Sequence, residues 1–232
     1  MTSRLHFYTL LALCGASMFG CAPTEFTTAT ILETPTAFVR LEIDRTINPD
    51  QGHAHPAILT PEQMAAVLSG ITIEEPWARL PIYDDTSQPR RHPAFTETEV
   101  AFFSPLLAMA LSKGTPEEVI TFYQSRALSG TSREVTSGGL FVQGDELHII
   151  LANYRSPTHY SADIGMADTN DERLTPMRAL APQRGTLGFN PQSAKREASA
   201  KGLTRWFQQD RREVIVLYKF LPTRSLDRGP LP

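Results

Sequence analysis

Apolar and polar residues alternate from Ala37 to Asp44. Val39, Leu41 and Ile43 fall on one side, and Arg40, Glu42 and Asp44 on the other. A period of two marks a strand with one buried face. The breaker-rich stretch NPDQGHAHP follows as a loop. The pattern then becomes helical, and the same device introduces it three times. Thr60, Thr96 and Thr115 each stand three residues before Gln63, Glu99 and Glu118, the spacing of a capping box. Pro61 and Pro116 occupy the first helical position, where the missing N–H costs nothing. Leu59 with Met64, and Phe95 with Val100, are spaced as hydrophobic staples. These signals predict helices over Pro61–Ser69, Glu97–Lys113 and Pro116–Ala127, with Gly70 and Gly114 stopping the first two. The second carries the apolar stripe Val100, Phe103, Leu107, Ala110 and Leu111, which Phe102, Leu106 and Met109 widen, so it reads as the central core helix. Pro105 inside it removes one ladder bond.

Beyond the third predicted helix, GGLFVQGDELHIILANY reads as a hairpin turning at Gly144-Asp145. Ser137-Gly138-Gly139, at its entrance, lets the backbone bend or bulge. Ser156 to Gln183 is polar and weakly patterned, and a loop of that length is functional or mobile. RGTLGF suggests a short strand, and NPQSAKREASAKG a surface helix whose apolar positions are all alanines. LTRWFQQ fits helix or strand. REVIVLYKFL is apolar on both faces and predicts a central strand covered on both sides. The expected class is α+β: one domain over 37–221, with about three helices packed on a mixed or antiparallel sheet and an unstructured tail over 222–232.

The N-terminal segment has a different character. MTSRLHFYTLLALCGASMFGC carries one positive charge, Arg4, and an apolar run from Leu5 to Leu13, too short to span a hydrocarbon core of ~30 Å as a helix. It resembles a bacterial lipoprotein signal, with Met18-Phe19-Gly20-Cys21 in the place of the lipobox. That resemblance implies cleavage of residues 1–20, lipid attachment to Cys21, and, with Ala22 following, delivery to the outer membrane facing the periplasm. Residues 21–36, rich in Thr, Pro and Ala, then read as anchor and tether. The chain has two cysteines, Cys14 and Cys21. Loss of the signal leaves one, so no internal disulfide forms and the domain relies on its core.

A net charge of −3 supplies no electrostatic reason to bind nucleic acid. No nucleophile elbow, phosphate loop or dinucleotide fingerprint is present. Two groups of residues carry candidate chemistry. His53 and His55 are two apart, so an extended backbone puts both rings on one side. With His92, or with His148 or His159, they form a possible zinc or copper site, although no spacing matches a known zinc pattern. The competing reading of His-Pro is a chain-turning dipeptide before a helix cap. DTNDE from Asp168 begins like a calcium loop but lacks the required Gly and Glu. The second group is Asn153, Tyr154, Arg155, His159 and Tyr160, clustered where a strand ends, and suited to a ligand or a protein contact. The expected function is a non-catalytic binding or structural role at the envelope, with acylated Cys21 in the membrane and an envelope protein as partner. The rival is a metal-binding protein or metal-dependent enzyme.

Overall fold

The computed structural model describes residues 27–47, 52–75, 89–129, 132–159, 172–183, 185–196 and 212–221. Its strands are β1 (Thr27–Glu33), β2 (Ala37–Ile43), β3 (Ile71–Glu74), β4 (Arg91–Pro93), β5 (Glu118–Ser129), β6 (Ser132–Gln143), β7 (Glu146–His159), β8 (Thr186–Phe189), β9 (Lys195–Arg196) and β10 (Glu213–Val216). Its helices are α1 (Pro61–Gly70) and α2 (Glu97–Lys113). Seven strands form an antiparallel sheet in the order β1-β2-β5-β6-β7-β10-β9, and β4-β3-β8 form a second, smaller one.

Strands hold 46% of the described residues and helices 22%, so the fold is mostly β. This corrects the expected α+β class with about three helices. The third predicted helix is the main cause, since its residues form β5. Thr115 still donates its backbone N–H to the Glu118 carboxylate at 2.8 Å, as in a cap. The run that follows, Val119-Ile120-Thr121-Phe122-Tyr123, is β-branched and aromatic, which favours a strand. The cap residues therefore close a turn into a sheet. At Thr60 and Thr96 both halves of the capping box form, and each helix begins where the sequence places it.

The inner face of the large sheet carries Val39, Leu41, Ile120, Phe122, Leu140, Val142, Leu147, Ile149 and Leu151. They share one core with Met64, Val67 and Leu68 of α1, Phe103, Leu107 and Leu111 of α2, and Phe189 of β8. α2 covers one side only. Phe102 and Met109, expected to widen its apolar stripe, are 38% and 46% exposed. β1 falls within the stretch read as a tether and pairs with β2 as an exposed edge strand. The described part of the predicted surface helix after Asn190 is instead a 3-10 turn, Gln192–Ala194, followed by β9, and the rest of it, from residue 197, lies outside the described residues; three alanines give a helix little to bury. β10 covers only Glu213–Val216 of the predicted central strand, lies one strand in from the sheet edge between β7 and β9, and is followed by a 3-10 turn at Tyr218–Phe220; Val214 and Ile215, on opposite faces, are both buried, as the apolar run predicts. LTRWFQQ and the tail from Pro222 lie outside the described residues.

The outer face is also apolar. Phe38, Tyr123 and Val135 form one cluster there, and Val119, Phe141 and Ile150 another. No helix covers it among the described residues. Two irregular segments do, residues 52–56 and 172–183. In the second, Met177 packs on the Val119–Phe141–Ile150 cluster. The Glu172 carboxylate accepts from Tyr123 Oη at 3.3 Å and pairs with the Arg133 guanidinium. Arg173 pairs with Glu33 and reaches over the Phe38 and Tyr123 rings, which stack at 5.2 Å.

Two glycines of β6 make this layering possible. A Cβ on Gly138 would sit 1.9 Å from the Ile150 carbonyl oxygen, and one on Gly139 would sit 2.4 Å from Met177 Sδ. The first obstacle is backbone and the second a flexible thioether. Gly138→Ala is expected to destabilise the protein by about 3 kcal/mol or more, and Gly139→Ala by less, in urea unfolding. Equal costs would contradict this packing.

Candidate functional site

β7 does not pair evenly along its length. Ser137 lies opposite Asn153 and Val135 opposite Ser156, so Tyr154 and Arg155 together face the single residue Thr136. This is a β-bulge, and bulges re-aim side chains at the ends of sheets. Thr136 Oγ1 accepts the Arg155 backbone N–H at 3.3 Å. Arg155 has φ +45°, and among the described residues it alone combines a side chain with positive φ. A left-handed backbone costs a non-glycine residue of order 1 kcal/mol or more, and such strain gathers at functional sites.

The bulge opens onto a cavity of about 220 Å³ between the two sheets. Glu75, Tyr154, Arg155, Ser156, Gln183 and Arg212 supply its polar lining. Arg155 lies 5.5 Å from the centre of the Tyr154 ring. Tyr154 stacks on His92 at 5.8 Å between centroids, with its hydroxyl 3.4 Å from His92 Nδ1. Burial pushes the Tyr154 phenol above its usual range, the Arg155 guanidinium opposes this, and nearby carboxylates, Glu75 among them, add to it. Arg212 donates from Nη1 to Gln183 Oε1 at 2.9 Å, while its buried Nε and Nη2 have no hydrogen-bond partner among the described residues. Burial also lowers the Arg212 pKa, opposed in part by Glu75.

Of the strand-end cluster read from the sequence, Tyr154 and Arg155 thus line one cavity. Asn153 does not reach it as a free group. Its Nδ2 donates to Ser137 Oγ at 2.9 Å and to the Arg178 carbonyl at 2.7 Å, and its Oδ1 accepts from the Leu180 N–H at 2.8 Å. Those bonds fasten segment 172–183 to the sheet. His159 ends β7, and Tyr160 lies outside the described residues. Glu75, which reads in the sequence as half of a solvated Glu74-Glu75 carboxylate pair, joins Gln183 and Arg212 in the lining, and all three come from segments distant in the chain. Gln183 was legible only as the end of a long polar stretch.

His53 and His55 do point the same way, as an extended backbone requires. From Gly52 to Thr60 exposed and buried residues alternate strictly. The two rings lie 5.4 Å apart and are 4% and 5% exposed. Their nitrogens meet protein groups. His53 Nε2 lies 3.1 Å from Asp44 Oδ2, and His55 Nε2 accepts the Val142 N–H at 3.1 Å. His53 stacks on Phe141 at 4.2 Å, and Phe141 on His148 at 4.7 Å. His148 Nδ1 lies 2.8 Å from Glu213 Oε1. His92 sits apart, on β4 beside Tyr154. Among the described residues no three His, Cys, Asp or Glu side chains come together as a metal site. Asp168 to Asp171, in the calcium-like stretch, lie outside the described residues, and Glu172 is held by Arg133.

Neither a family model, nor a curated protein, nor a solved structure matches this chain.

The histidine layer has a pH signature. Burial pushes His55 down from 6.5 to about 4, and the neighbouring His53 adds to the effect. Between those values only the unfolded chain takes the proton, so stability falls with pH across that window, by ~3 kcal/mol in full. Asp44 acts lower. Burial alone would raise it, but hydrogen bonds from His53 and Thr46 outweigh this and hold it at about 2. Its contribution is present above 3.8 and is lost as pH falls toward 2. His55→Gln keeps an acceptor for Val142 but cannot titrate. Urea unfolding at a series of pH values is expected to show a flattened profile between 6.5 and 4 for this variant, and parallel profiles would contradict the assignment.

Proposed function

We propose that the chain is a lipid-anchored envelope protein whose domain binds a ligand or partner on the periplasmic side and catalyses no reaction. The cavity behind the β7 bulge carries the binding part of this reading. It gathers two guanidiniums, a phenol and an amide, which are groups of recognition, around a residue held in a strained backbone. The buried histidines have a structural part. They line a seam between segment 52–56 and the sheet, each with a nitrogen turned to a carboxylate or a backbone N–H.

The anchor reading rests on the likeness of Met18–Cys21 to a lipobox. Among the described residues no helix is long and apolar enough to cross a membrane. The position of β1 adds a geometric consequence. It starts at Thr27, so an extended chain from Cys21 spans at most about 20 Å. Lipid on Cys21 would hold the β1 edge of the large sheet close to the bilayer. Each buried methylene contributes ~0.8 kcal/mol, and more than one acyl chain makes the attachment lasting.

Metabolic labelling with a fatty-acid analogue and fractionation test the anchor. The natural chain is expected to be labelled and to sediment with membranes, whereas Cys21→Ser is unlabelled. A natural chain that is unlabelled and freely soluble would overturn the proposal.

A further inference from the structure

We infer that the cavity behind the β7 bulge is a binding site for a small molecule bearing an oxyanion, either carboxylate or phosphate. The inference rests on the binding role proposed above and specifies its ligand chemistry. Three observations converge on it. First, the charged lining is Arg155, Arg212 and Glu75, two cations against one anion. Second, Arg212 has Nη1 fixed to Gln183 while its buried Nε and Nη2 have no hydrogen-bond partner among the described residues. A buried donor without an acceptor costs about 1–3 kcal/mol, and a turn of this guanidinium edge into the cavity would let an oxyanion remove that cost with charge-assisted bonds. Guanidinium presents its donors as a planar fork that matches carboxylate and phosphate oxygens. Third, Arg155 keeps its position at φ +45° although glycine would occupy it without strain. Backbone strain at a residue that bears a long cationic side chain gathers at functional sites.

The rest of the lining fits the same ligand. The Ser156 hydroxyl accepts from Gln183 Nε2 at 2.7 Å, which leaves its own proton free to donate. Gln183 is further held by the Ala181 carbonyl and the Tyr154 N–H, so the Arg212 guanidinium is anchored through a fixed amide. A cavity of about 220 Å³ is smaller than the roughly 300–1,000 Å³ of drug-sized ligand sites, so it suits a small, compact molecule and not a folded partner. Glu75 restricts the choice, because its carboxylate opposes a dense anion.

Arg155→Gly provides a clean test, since it removes the guanidinium and relieves the backbone. The mature chain in detergent is titrated with sodium phosphate or sodium acetate at ionic strength matched with sodium chloride, and its thermal midpoint and binding isotherm are followed. Either oxyanion is expected to raise the midpoint saturably above the chloride control, and the arm that does so identifies the class. Arg155→Gly should fold at least as stably as the natural chain and bind at least tenfold more weakly. Arg212→Gln should also bind more weakly, and Glu75→Gln more tightly. No saturable effect of either anion beyond chloride, or full-strength binding by Arg155→Gly, would overturn the inference. The wider binding role fails separately: it falls if the acylated protein retains neither ligand nor envelope partner, and survives if a partner binds natural chain and Arg155→Gly alike.

Discussion

The central strands of the large sheet are apolar on both faces, and every other part of the structure answers to that constraint. A sheet with one wet face needs one cover, and α1 with α2 provide it on the inner side. The outer face exposes Phe38, Tyr123, Val135, Val119, Phe141 and Ile150 unless something lies over them. Leaving such side chains in water would forgo roughly 1.5–3 kcal/mol each. The chain covers them with irregular backbone, which brings its own polar groups into a dry place. Each of those groups needs a partner.

The partners come from side chains that look like surface chemistry in the sequence. Asn153 and Ser137 take up the carbonyls of Arg178 and Pro176 and the N–H of Leu180. Gln183 joins Tyr154, Ser156 and Arg212. On the other segment, Ala54 donates to the Val142 carbonyl and His53 to that of Pro116, while His55 receives the Val142 N–H. The cavity lies where the 172–183 cover ends and β7 bulges away, so its walls belong to the same network. Anchoring the cover and shaping the cavity are one task, shared by Gln183 and Arg212. The groups that line the cavity are thus held in place by the network itself.

The sequence shows the two helices clearly, since Thr60 and Thr96 each carry cap, first-turn acid and apolar stripe together. The 140s hairpin is equally legible, because Gly144 takes φ +57° where two apolar runs meet. β5 misleads because Thr115, Pro116 and Glu118 are local signals for a helix, while the pairing of Val119–Tyr123 with β2 and β6 is set by residues far away. The histidine pair was half legible. Their spacing predicts a shared side, but only the fold shows that the side is a sealed seam beside Phe141. Within the candidate site, Tyr154 and Arg155 stand together in the sequence and line the cavity together. Glu75 and Arg212 lie about eighty and nearly sixty residues away from them, a convergence that only sheet topology produces.

Native-state hydrogen exchange, read residue by residue, tests most directly whether the outer cover is an integral layer. The N–H groups of Ala54 and Leu180 lie outside every helix and strand but are bonded to the sheet at 2.7 and 2.8 Å. If the cover is part of the cooperative core, both exchange in the same slow class as Ile149 and Leu151. Exchange at the rate of an open loop, with the sheet still protected, would show that the outer face folds without its cover and would contradict this account.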